Sequence, residues 1–307
     1  MKYLPGIGMA LLLAGPVAVA EEPQGEAQKA ILVTGASTGI GRKITERLAA
    51  DGYFVYAGAR KEKDLEELAT IKNVQPLRLD VTKPDEIAAA VATVTNAGRG
   101  LYGLVNNAGV AAIGSFMDMK EEDFDFVMDV NAYGPYRVTR AFAPLVIAGK
   151  GRITTIGSIS GILSSRDLGV YSMSKHAIEA FVDSLALQME PQGVLVSIIE
   201  PGNYNSEIGR SAAKRSGVET RLTDRSQYKP PDEVAAAVKL ALFEPSPKRR
   251  YMVVPDQYEA EITIKKAIQE LVQLNEGQPY TYDREALVKM LDESLATARP
   301  AVPAATE

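Results

Sequence analysis

The chain has 307 residues, 46% of them hydrophobic, and a formal net charge of −5 at pH 7. This length is sufficient for one large α/β domain with a full core. The mild acidity argues against nucleic acid as a partner, because no basic face or lysine-rich tail is visible. Cysteine is absent and His176 is the single histidine. Thiolate chemistry is therefore excluded, and neither a metal site nor a Ser-His-Asp triad is expected.

The first twenty residues have the pattern of a targeting segment. Lys2 precedes an apolar run over residues 4–20, which ends in Ala18-Val19-Ala20 and is followed by Glu21. A basic start, an apolar middle and a small-x-small end are typical of a secretory signal peptide. We expect an exported protein, with an uncleaved membrane anchor as one alternative. A cytoplasmic protein with a mis-assigned start is the other.

Residues 21–28 read as a polar linker, and an alternation of strands and helices begins at residue 29. The predicted strands cover residues 30–33, 53–57, 74–79, 101–105, 152–156, 194–199 and 250–254. Helical patterns lie between them, and one long pattern at 122–147 is interrupted near Gly134-Pro135. The alternation predicts one α/β domain over residues 29–255, a doubly wound parallel sheet of the Rossmann-like type. Residues 256–307 read as a helical C-terminal extension whose end, from Thr297, is disordered.

Residues 203–230 interrupt this alternation, because they are rich in Ser, Arg, Lys and Glu and poor in apolar residues. They follow a strand end, which is where α/β proteins place ligands, so they could form a substrate lid. A solvated loop explains the same composition, and both interpretations stay open.

The stretch from Ile31 to Gly41 carries the clearest chemical motif. An apolar strand leads into Thr34-Gly35-Ala36-Ser37-Thr38-Gly39-Ile40-Gly41, and a helical pattern follows at once. Glycines allow a pyrophosphate to approach the backbone closely, and the helix N-terminus favours negative charge. This turn is therefore a candidate phosphate site.

A second group of polar residues falls at the same predicted edge of the sheet. Tyr171 and Lys175 share one face of a predicted helix at 170–190, where an ammonium group would favour a phenolate. A tyrosine and a lysine that only make a contact on the helix surface have the same spacing, so the neighbouring motifs decide between the two interpretations. Ser158 follows the strand at 152–156, and Asn106-Asn107-Ala108-Gly109 ends the preceding strand. Asn131 lies in the helical region between them, where it could also be exposed or kink the helix.

In order and spacing these motifs resemble the short-chain dehydrogenase/reductase family. The motifs are Thr34-Gly35-(x)3-Gly39-x-Gly41, Asn106-Asn107-Ala108-Gly109, Asn131, Ser158, Tyr171-(x)3-Lys175 and Pro201-Gly202. Residues 29–254 take part, and Glu200-Pro201-Gly202-Asn203 and Gly103-Leu104-Val105 are most similar to the retinol and 17β-hydroxysteroid dehydrogenase branch. The resemblance implies an oxidoreductase that interconverts a ketone or aldehyde and an alcohol with a nicotinamide cofactor.

The resemblance also implies roles for four catalytic residues. Tyr171 would be the general acid/base, and Lys175 would support it and hold the nicotinamide ribose. Ser158 would bind the substrate oxygen, and Asn131 would hold a water that connects Lys175 to solvent. His176 points about 100° away from Lys175 around the helix, so we interpret it as structural.

The implied cofactor-binding residues are Gly35, Ser37, Thr38, Gly39, Ile40, Gly41, Arg60, Asp80, Val81, Asn107, Ala108, Gly109, Tyr171, Lys175, Pro201 and Ser206. Asp80 would contact the adenine, and Asn107 and Gly109 the adenosine-side ribose or the cofactor backbone. Ser206 stands where the family usually has a threonine that contacts the carboxamide.

The end of the second predicted strand indicates which cofactor is used. Relatives that use NAD place an acid there for the ribose 2′-hydroxyl, but this strand ends in Gly58-Ala59-Arg60-Lys61. Arg60 could pair with a 2′-phosphate, with Ser37 as a second donor, or could be an exposed residue at a helix start. We expect NADP(H).

Apolar residues flank the catalytic positions: Ile113, Ile159, Ile162, Leu163 and Leu168. We therefore expect a small apolar carbonyl or alcohol substrate, such as a retinoid, steroid or fatty compound. By resemblance we expect a homodimer or homotetramer, with membrane association possible only at the N-terminus. A non-catalytic NADP-binding sensor or scaffold is the alternative, although a sensor would not need a tyrosine base.

The signal-peptide hypothesis predicts cleavage after Ala20, which would leave Glu21 as the mature N-terminus. N-terminal sequencing of protein from the native host measures this directly. A chain that begins at Met1 and is found only in the cytosol would contradict export.

Overall fold

The structure is a computed structural model that describes residues 28–217 and 226–297. The predicted signal segment at 1–20, the linker up to residue 27 and the tail from residue 298 lie outside the described residues. Thr297, where the disordered end was predicted to begin, is the last residue of a helix.

Seven parallel strands form one sheet in the described residues, in the order β3-β2-β1-β4-β5-β6-β7. The strands are β1 Ala30–Val33, β2 Phe54–Ala59, β3 Val74–Arg78, β4 Gly103–Asn106, β5 Arg152–Ile156, β6 Leu195–Pro201 and β7 Arg250–Val253. The order reverses between β1 and β4, so their carboxyl ends flank a crevice. The doubly wound parallel sheet predicted from the sequence is confirmed.

Helices connect the strands and cover both faces of the sheet. They are α1 Gly39–Ala50, α2 Glu62–Ala69, α3 Pro84–Asn96, α4 Glu121–Met128, α5 Gly134–Ala148, α6 Gly169–Met189, α7 Ile208–Ser216, α8 Asp232–Phe243, α9 Gln257–Asn275 and α10 Arg284–Thr297. The predicted interruption of the long helical region is a π-helical segment, Asp129–Tyr133, between α4 and α5.

The two faces of the sheet contribute to two hydrophobic cores, because side chains alternate along each strand. In β1, Leu32 belongs to the core that includes Phe142 of α5 and Ile178 of α6. Ile31 belongs to the opposite core, which includes Leu48 of α1 and other buried residues of α1 and α8. All four residues of β1 are buried, as expected for a strand in the middle of a parallel sheet.

Part of the segment 203–230 is helical, so the segment is not an irregular lid or loop throughout. Nine of its residues form α7, whose end is fixed by an ion pair of 2.6 Å between Arg215 Nε and Asp123 Oδ1 of α4. Ser216 Oγ accepts a hydrogen bond of 2.9 Å from the backbone N–H of Ile113. The sequence does not reveal this helix because the contacts that support it come from distant parts of the chain.

Helix α9 is held to the chain beyond β6 by Glu259, which is only 7% exposed. Its carboxylate accepts hydrogen bonds from the backbone N–H of Asn203 at 2.9 Å and from Asn203 Nδ2 at 2.7 Å. Asp256 caps the helix by accepting a bond from the Glu259 N–H. A Cβ at Gly202 would overlap the Glu259 carboxylate, so the close contact between residue 202 and Glu259 requires glycine.

Glu259→Ala should therefore destabilise the fold. It removes two hydrogen bonds from a buried carboxylate, each worth about 1.5–3 kcal/mol, so Tm should fall by about 5–10 °C. The matched control is Glu261→Ala in the same helix, because Glu261 is half exposed and pairs with Lys265 on the helix surface. Equal Tm values for the two variants in thermal unfolding would contradict this role.

Candidate active site

The glycine turn after β1 fits an anion because of its backbone conformation. Gly35 and Gly39 have φ angles of +64° and +54°, in the left-handed region that favours glycine. Thr38, the residue before α1, makes no capping hydrogen bond with its side chain. The first N–H groups of α1 are thus available to a phosphate, and the helix dipole favours one.

Thr34 and Asn107 fix this turn against the end of β4, and we call their hydrogen bonds the Thr34–Asn107 link. Asn107 Nδ2 donates to the carbonyls of Thr34 at 2.9 Å and Gly35 at 3.0 Å. Thr34 Oγ1 accepts from the N–H groups of Asn107 and Ala108, both at 3.0 Å. A Cβ on Gly41 would overlap the Gly35 carbonyl oxygen and Asn107 Nδ2, so the turn excludes a side chain there. Asn107 Nδ2 thus holds the turn, while the contact of Asn107 with the ribose or the cofactor backbone stays a prediction.

Helix α6 presents Tyr171 and Lys175 to the same cavity. Lys175 is 5% exposed, and its Nζ donates a 2.8 Å hydrogen bond to the carbonyl of Ile156 at the end of β5. The same Nζ lies 5.7 Å from the centre of the Tyr171 ring. The ammonium group is therefore fixed by the sheet beside the phenol.

Ser158 lies just beyond β5 and is buried. Its Oγ accepts a hydrogen bond from the Ser160 N–H at 3.1 Å and donates a long one, 3.5 Å, to the carbonyl of Pro201 at the end of β6. These bonds fix the hydroxyl group at the carboxyl edge of the sheet. Ser158 lines the cavity together with Tyr171.

Asn131 lies in the π-helical segment and is only 2% exposed, so it is not a surface amide. Its Oδ1 accepts from the Val110 N–H, and its Nδ2 donates to the Val110 carbonyl and to Ser174 Oγ, all at 2.9 Å. Asn131 does not line the cavity. Gly109 lies next to it, since a Cβ there would be 3.6 Å from Asn131 Oδ1 and 3.9 Å from Lys175 Nζ.

One cavity of about 770 Å³ joins the glycine turn to the side chains of Tyr171 and Lys175. All sixteen residues expected to bind cofactor line it, and so does Ser158. Of the five apolar residues expected near the substrate, Ile159, Leu163 and Leu168 line the cavity, whereas Ile113 and Ile162 do not.

Several lining residues had not been predicted as site residues. They include Lys61, Asp64, Val110, Ser160, Ser164, Ser165, Asn203, Tyr204, Glu207, Ile208, Ser211 and Ile262. Ile208 and Ser211 come from α7 and Ile262 from α9. The sequence offers no motif for them, because α7 lies in a segment of low apolar content and α9 in the tail outside the resemblance.

At the adenosine end, Arg60 and Lys61 follow β2 and line the cavity. The Arg60 side chain is 56% exposed, and its Nη1 lies 3.9 Å from Asp80 Oδ2. Asp80 Oδ1 accepts hydrogen bonds from the N–H of Thr82 at 3.0 Å and from its hydroxyl at 2.8 Å. The weakly held Arg60 guanidinium is thus able to turn toward a phosphate.

His176 takes no part in the cavity, although it adjoins Lys175. It is exposed, and its Nδ1 lies 2.8 Å from the Ser172 carbonyl of the same helix. Over residues 28–217 and 226–297, no group of three His, Cys, Asp or Glu side chains could hold a metal ion. Among the same residues, no helix is both long and apolar enough to cross a membrane.

Comparison with known proteins decides the family. The family model for short chain dehydrogenases matches residues 29–217. The chain belongs to the short-chain dehydrogenase/reductase family. The resemblance noted in the sequence is therefore confirmed.

Individual relatives show the range within the family. The chain is 36% identical over 186 residues to bovine mitochondrial D-beta-hydroxybutyrate dehydrogenase, covering 57% of this chain and 54% of the relative. It is 39% identical over 189 residues to mouse retinol dehydrogenase 16, covering 60% and 59%. The chain thus spans little more than half the length of these relatives.

Two solved structures share the fold. A short-chain dehydrogenase from Streptomyces avermitilis has a TM-score of 0.69 at 28% identity and covers 90% of this chain and 100% of its own. A short-chain dehydrogenase/reductase from Burkholderia phymatum, in complex with NAD, has a TM-score of 0.71 at 24% identity and covers 83% and 98%.

Proposed function

We propose that this protein is an NADP(H)-dependent oxidoreductase that interconverts an apolar ketone or aldehyde and its alcohol, with Tyr171 as the general acid/base. The observation that carries the proposal is the single cavity in which Ser158, Tyr171 and Lys175 stand at the end of β5 beside the glycine turn. The turn fits a pyrophosphate, because its left-handed glycines and the start of α1 form a cradle, and a Cβ on Gly41 would displace that cradle by overlapping the Gly35 carbonyl oxygen.

A nicotinamide cofactor, when bound, supplies or removes the hydride. In reduction, Tyr171 donates a proton to the substrate oxygen, and in oxidation its phenolate removes one. When substrate binds, the Ser158 hydroxyl turns its one proton from the Pro201 carbonyl to the same oxygen, and this hydrogen bond stabilises the charge that develops there. Lys175, held by the Ile156 carbonyl, places its ammonium group where it attracts the negative charge that proton transfer leaves on the phenol.

Asn131 contributes by fixing the chain around Lys175. Its three hydrogen bonds join the π-helical segment to Val110 and to Ser174, which precedes Lys175 in α6. We propose that it also holds a water that connects Lys175 to solvent, because its Oδ1 and the lysine Nζ both face Gly109.

The lining of the cavity near Tyr171 favours an uncharged substrate. The apolar residues there are Ile159, Leu163, Leu168, Ile208 and Ile262. Among the described lining residues the cations are Arg60, Lys61 and Lys175, of which the first two lie at the end of β2. A hydroxy acid would therefore find no guanidinium for its carboxylate in the described part of the substrate end, and a retinoid, steroid or fatty carbonyl fits better.

The activity is tested with a panel of carbonyls and alcohols, each assayed with NADPH and NADH or the oxidised forms. The panel pairs apolar ketones with keto acids of equal chain length, and turnover of the ketones supports the proposal. Binding of NADPH without turnover of any compound would support the sensor or scaffold alternative. Preference for the keto acids would contradict the apolar substrate.

Tyr171→Phe keeps the ring but removes the hydroxyl that transfers the proton. General acid/base groups contribute about 10²–10⁴-fold, so kcat should fall by that factor while NADPH still binds. Tyr136→Phe is the control, because Tyr136 is 47% exposed and does not line the cavity. A Tyr171→Phe variant with the wild-type rate would rule out Tyr171 as the proton donor.

Arg60→Ala should reduce the preference for NADPH over NADH in kcat/KM by about tenfold or more. A charge-assisted hydrogen bond to the 2′-phosphate is worth about 1.5–3 kcal/mol, and NADH has no such phosphate. Adding Ala59→Asp should reverse the preference, because a carboxylate repels the phosphate and accepts from the ribose hydroxyls.

Arg42→Ala is the matched control for Arg60, because Arg42 pairs with Glu46 on α1 and does not line the cavity. The control should leave the cofactor preference unchanged. Wild-type preference for NADH would contradict the NADP(H) proposal, and so would an unchanged ratio of kcat/KM with NADPH to kcat/KM with NADH in both Arg60 variants. The Burkholderia phymatum structure, which has the same fold, is a complex with NAD.

A further inference from the structure

Two buried glutamates lie directly behind the Ser158 turn, outside the cavity. Glu179 belongs to α6, one helical turn beyond Lys175, and its side chain is 14% exposed. Glu200 is in β6, immediately before Pro201, and its side chain is 3% exposed. Neither side chain lines the cavity, so the mechanism above does not use them.

Both glutamates adjoin the turn that carries Ser158. A Cβ on Gly157 would lie 3.2 Å from Glu179 Oε1, and a Cβ on Gly161 would lie 2.7 Å from the same oxygen. Glu179 thus packs against the glycines at both ends of the turn. Glu200 precedes Pro201, whose carbonyl accepts the bond from Ser158 Oγ. The pair therefore contacts the support of Ser158 from the helix side and from the strand side.

Arg250 of β7 provides the positive charge at this pair. Its Nε lies 3.3 Å from Glu179 Oε2 and 3.4 Å from Glu200 Oε1, and its Nη2 lies 2.7 Å from Asp183 Oδ2. Asp183 is half exposed, so solvent screens its charge, but two carboxylates at Glu179 and Glu200 against one guanidinium still leave an excess of one negative charge at a largely buried pair. Such an excess is costly in a medium of low dielectric constant, so one carboxyl group is expected to be protonated.

The hydrogen bonding of the pair leads to the same conclusion. In the described part of the chain, Oε1 of Glu179 and Oε1 of Glu200 are buried and receive no hydrogen bond. Burial, and then the neighbouring Glu179 carboxylate, raise the pKa of Glu200 to about 8. Burial also raises the pKa of Glu179, against the opposing effect of Arg250. If one carboxyl group is protonated, its O–H can donate a hydrogen bond to the carboxylate of the other, as in carboxyl pairs that bind a single proton.

We propose that Glu179 and Glu200 share one proton at neutral pH and act as a positioning pair that holds the turn from Gly157 to Gly161, and with it Ser158. This inference rests on the proposed function, in which Ser158 binds the substrate oxygen. Loss of the shared proton leaves two adjacent carboxylates. Their repulsion displaces the turn from Gly157 to Gly161. The pair faces Asp183 from α6 and Arg250 from β7, which carry the nearby charges.

The direction of the pH effect follows from the raised pKa of Glu200. A carboxyl group that binds its proton more tightly in the folded state stabilises the fold fully below its ordinary pKa of 4.5. That contribution is lost as the pH rises through about 8. Stability and Ser158 placement should therefore both decline in alkaline solution.

Glu200→Gln distinguishes the shared proton from an ordinary ion pair with Arg250, because glutamine keeps the shape and is always neutral. Wild type should lose about 4–8 °C more in Tm than this variant between pH 6.5 and 9.5, with similar Tm values at pH 6.5. Glu244→Gln, at the residue just after α8, is the control and should follow wild type. A variant that is much less stable at pH 6.5 and shows the same alkaline loss as wild type would overturn the shared proton.

The positioning role is tested by kcat with NADPH and the best carbonyl of the panel at pH 7. Glu179→Ala should lower kcat about tenfold with unchanged NADPH affinity, and Glu179→Gln, which can still donate a hydrogen bond, should restore kcat to within about threefold. In a Ser158→Ala background, Glu179→Ala should have little further effect on kcat, since residues that act as a unit are not additive. Additive losses would overturn the role in positioning Ser158.

The two measurements also separate failure of this inference from failure of the proposed function. If no carbonyl is turned over by wild type, the proposed function fails and the Ser158 role fails with it. The Tm comparison does not depend on enzyme activity, so it tests the shared proton whether or not wild type turns over a carbonyl.

Discussion

The Thr34–Asn107 link is the interaction on which the site depends. It joins the first turn after β1 to the first residues after β4, the two strands between which the sheet order reverses. Asn107 Nδ2 is bound to two carbonyls of the turn, and a Cβ at Gly41 would overlap both the Gly35 carbonyl oxygen and Nδ2 itself. The start of α1 is thereby directed toward the crevice, where its free N–H groups can bind an anion.

The side chains that we propose to act in catalysis are also held by hydrogen bonds, since each is tied to backbone near the carboxyl edge of the sheet. Lys175 donates to Ile156 at the end of β5, and Ser158 donates to Pro201 at the end of β6. Asn131 is bonded to Val110, just beyond β4. A helix side chain held by a strand carbonyl keeps its position even when the surrounding loops move, and such preorganisation is what acid–base catalysis requires.

Much of this architecture can be predicted from the sequence, because its determinants are local. Alternating strand and helix patterns predict the parallel sheet, and the spaced motifs predict which residues line the cavity. Glycines at Gly35, Gly39 and Gly41 predict the phosphate turn, since each is required by a backbone angle or a close approach.

Other features depend on contacts between distant parts of the chain, and the sequence does not predict them. In the π-helical segment Asp129–Tyr133, Asn131 is bound to the distant Val110. Ile262 lines the cavity from α9, the helix that Glu259 holds to Asn203. Glu179 looks like a solvated residue on a helix, yet it is covered by the Ser158 turn and by Glu200. In each case, tertiary packing decides the environment of a residue whose local pattern is ordinary.

The central claim is that the glycine turn, fixed by the Thr34–Asn107 link, is the anion site of a nicotinamide cofactor. Titration of NADPH fluorescence with wild type and with Gly41→Ala tests it most directly. A Cβ at Gly41 overlaps both the Gly35 carbonyl oxygen and Asn107 Nδ2, so it must displace the turn. Gly52→Ala, which faces open space after α1, controls for the general cost of replacing a glycine. The account predicts saturable binding of one NADPH per chain by wild type and Gly52→Ala, and loss of binding in folded Gly41→Ala; equal affinity in all three would contradict it.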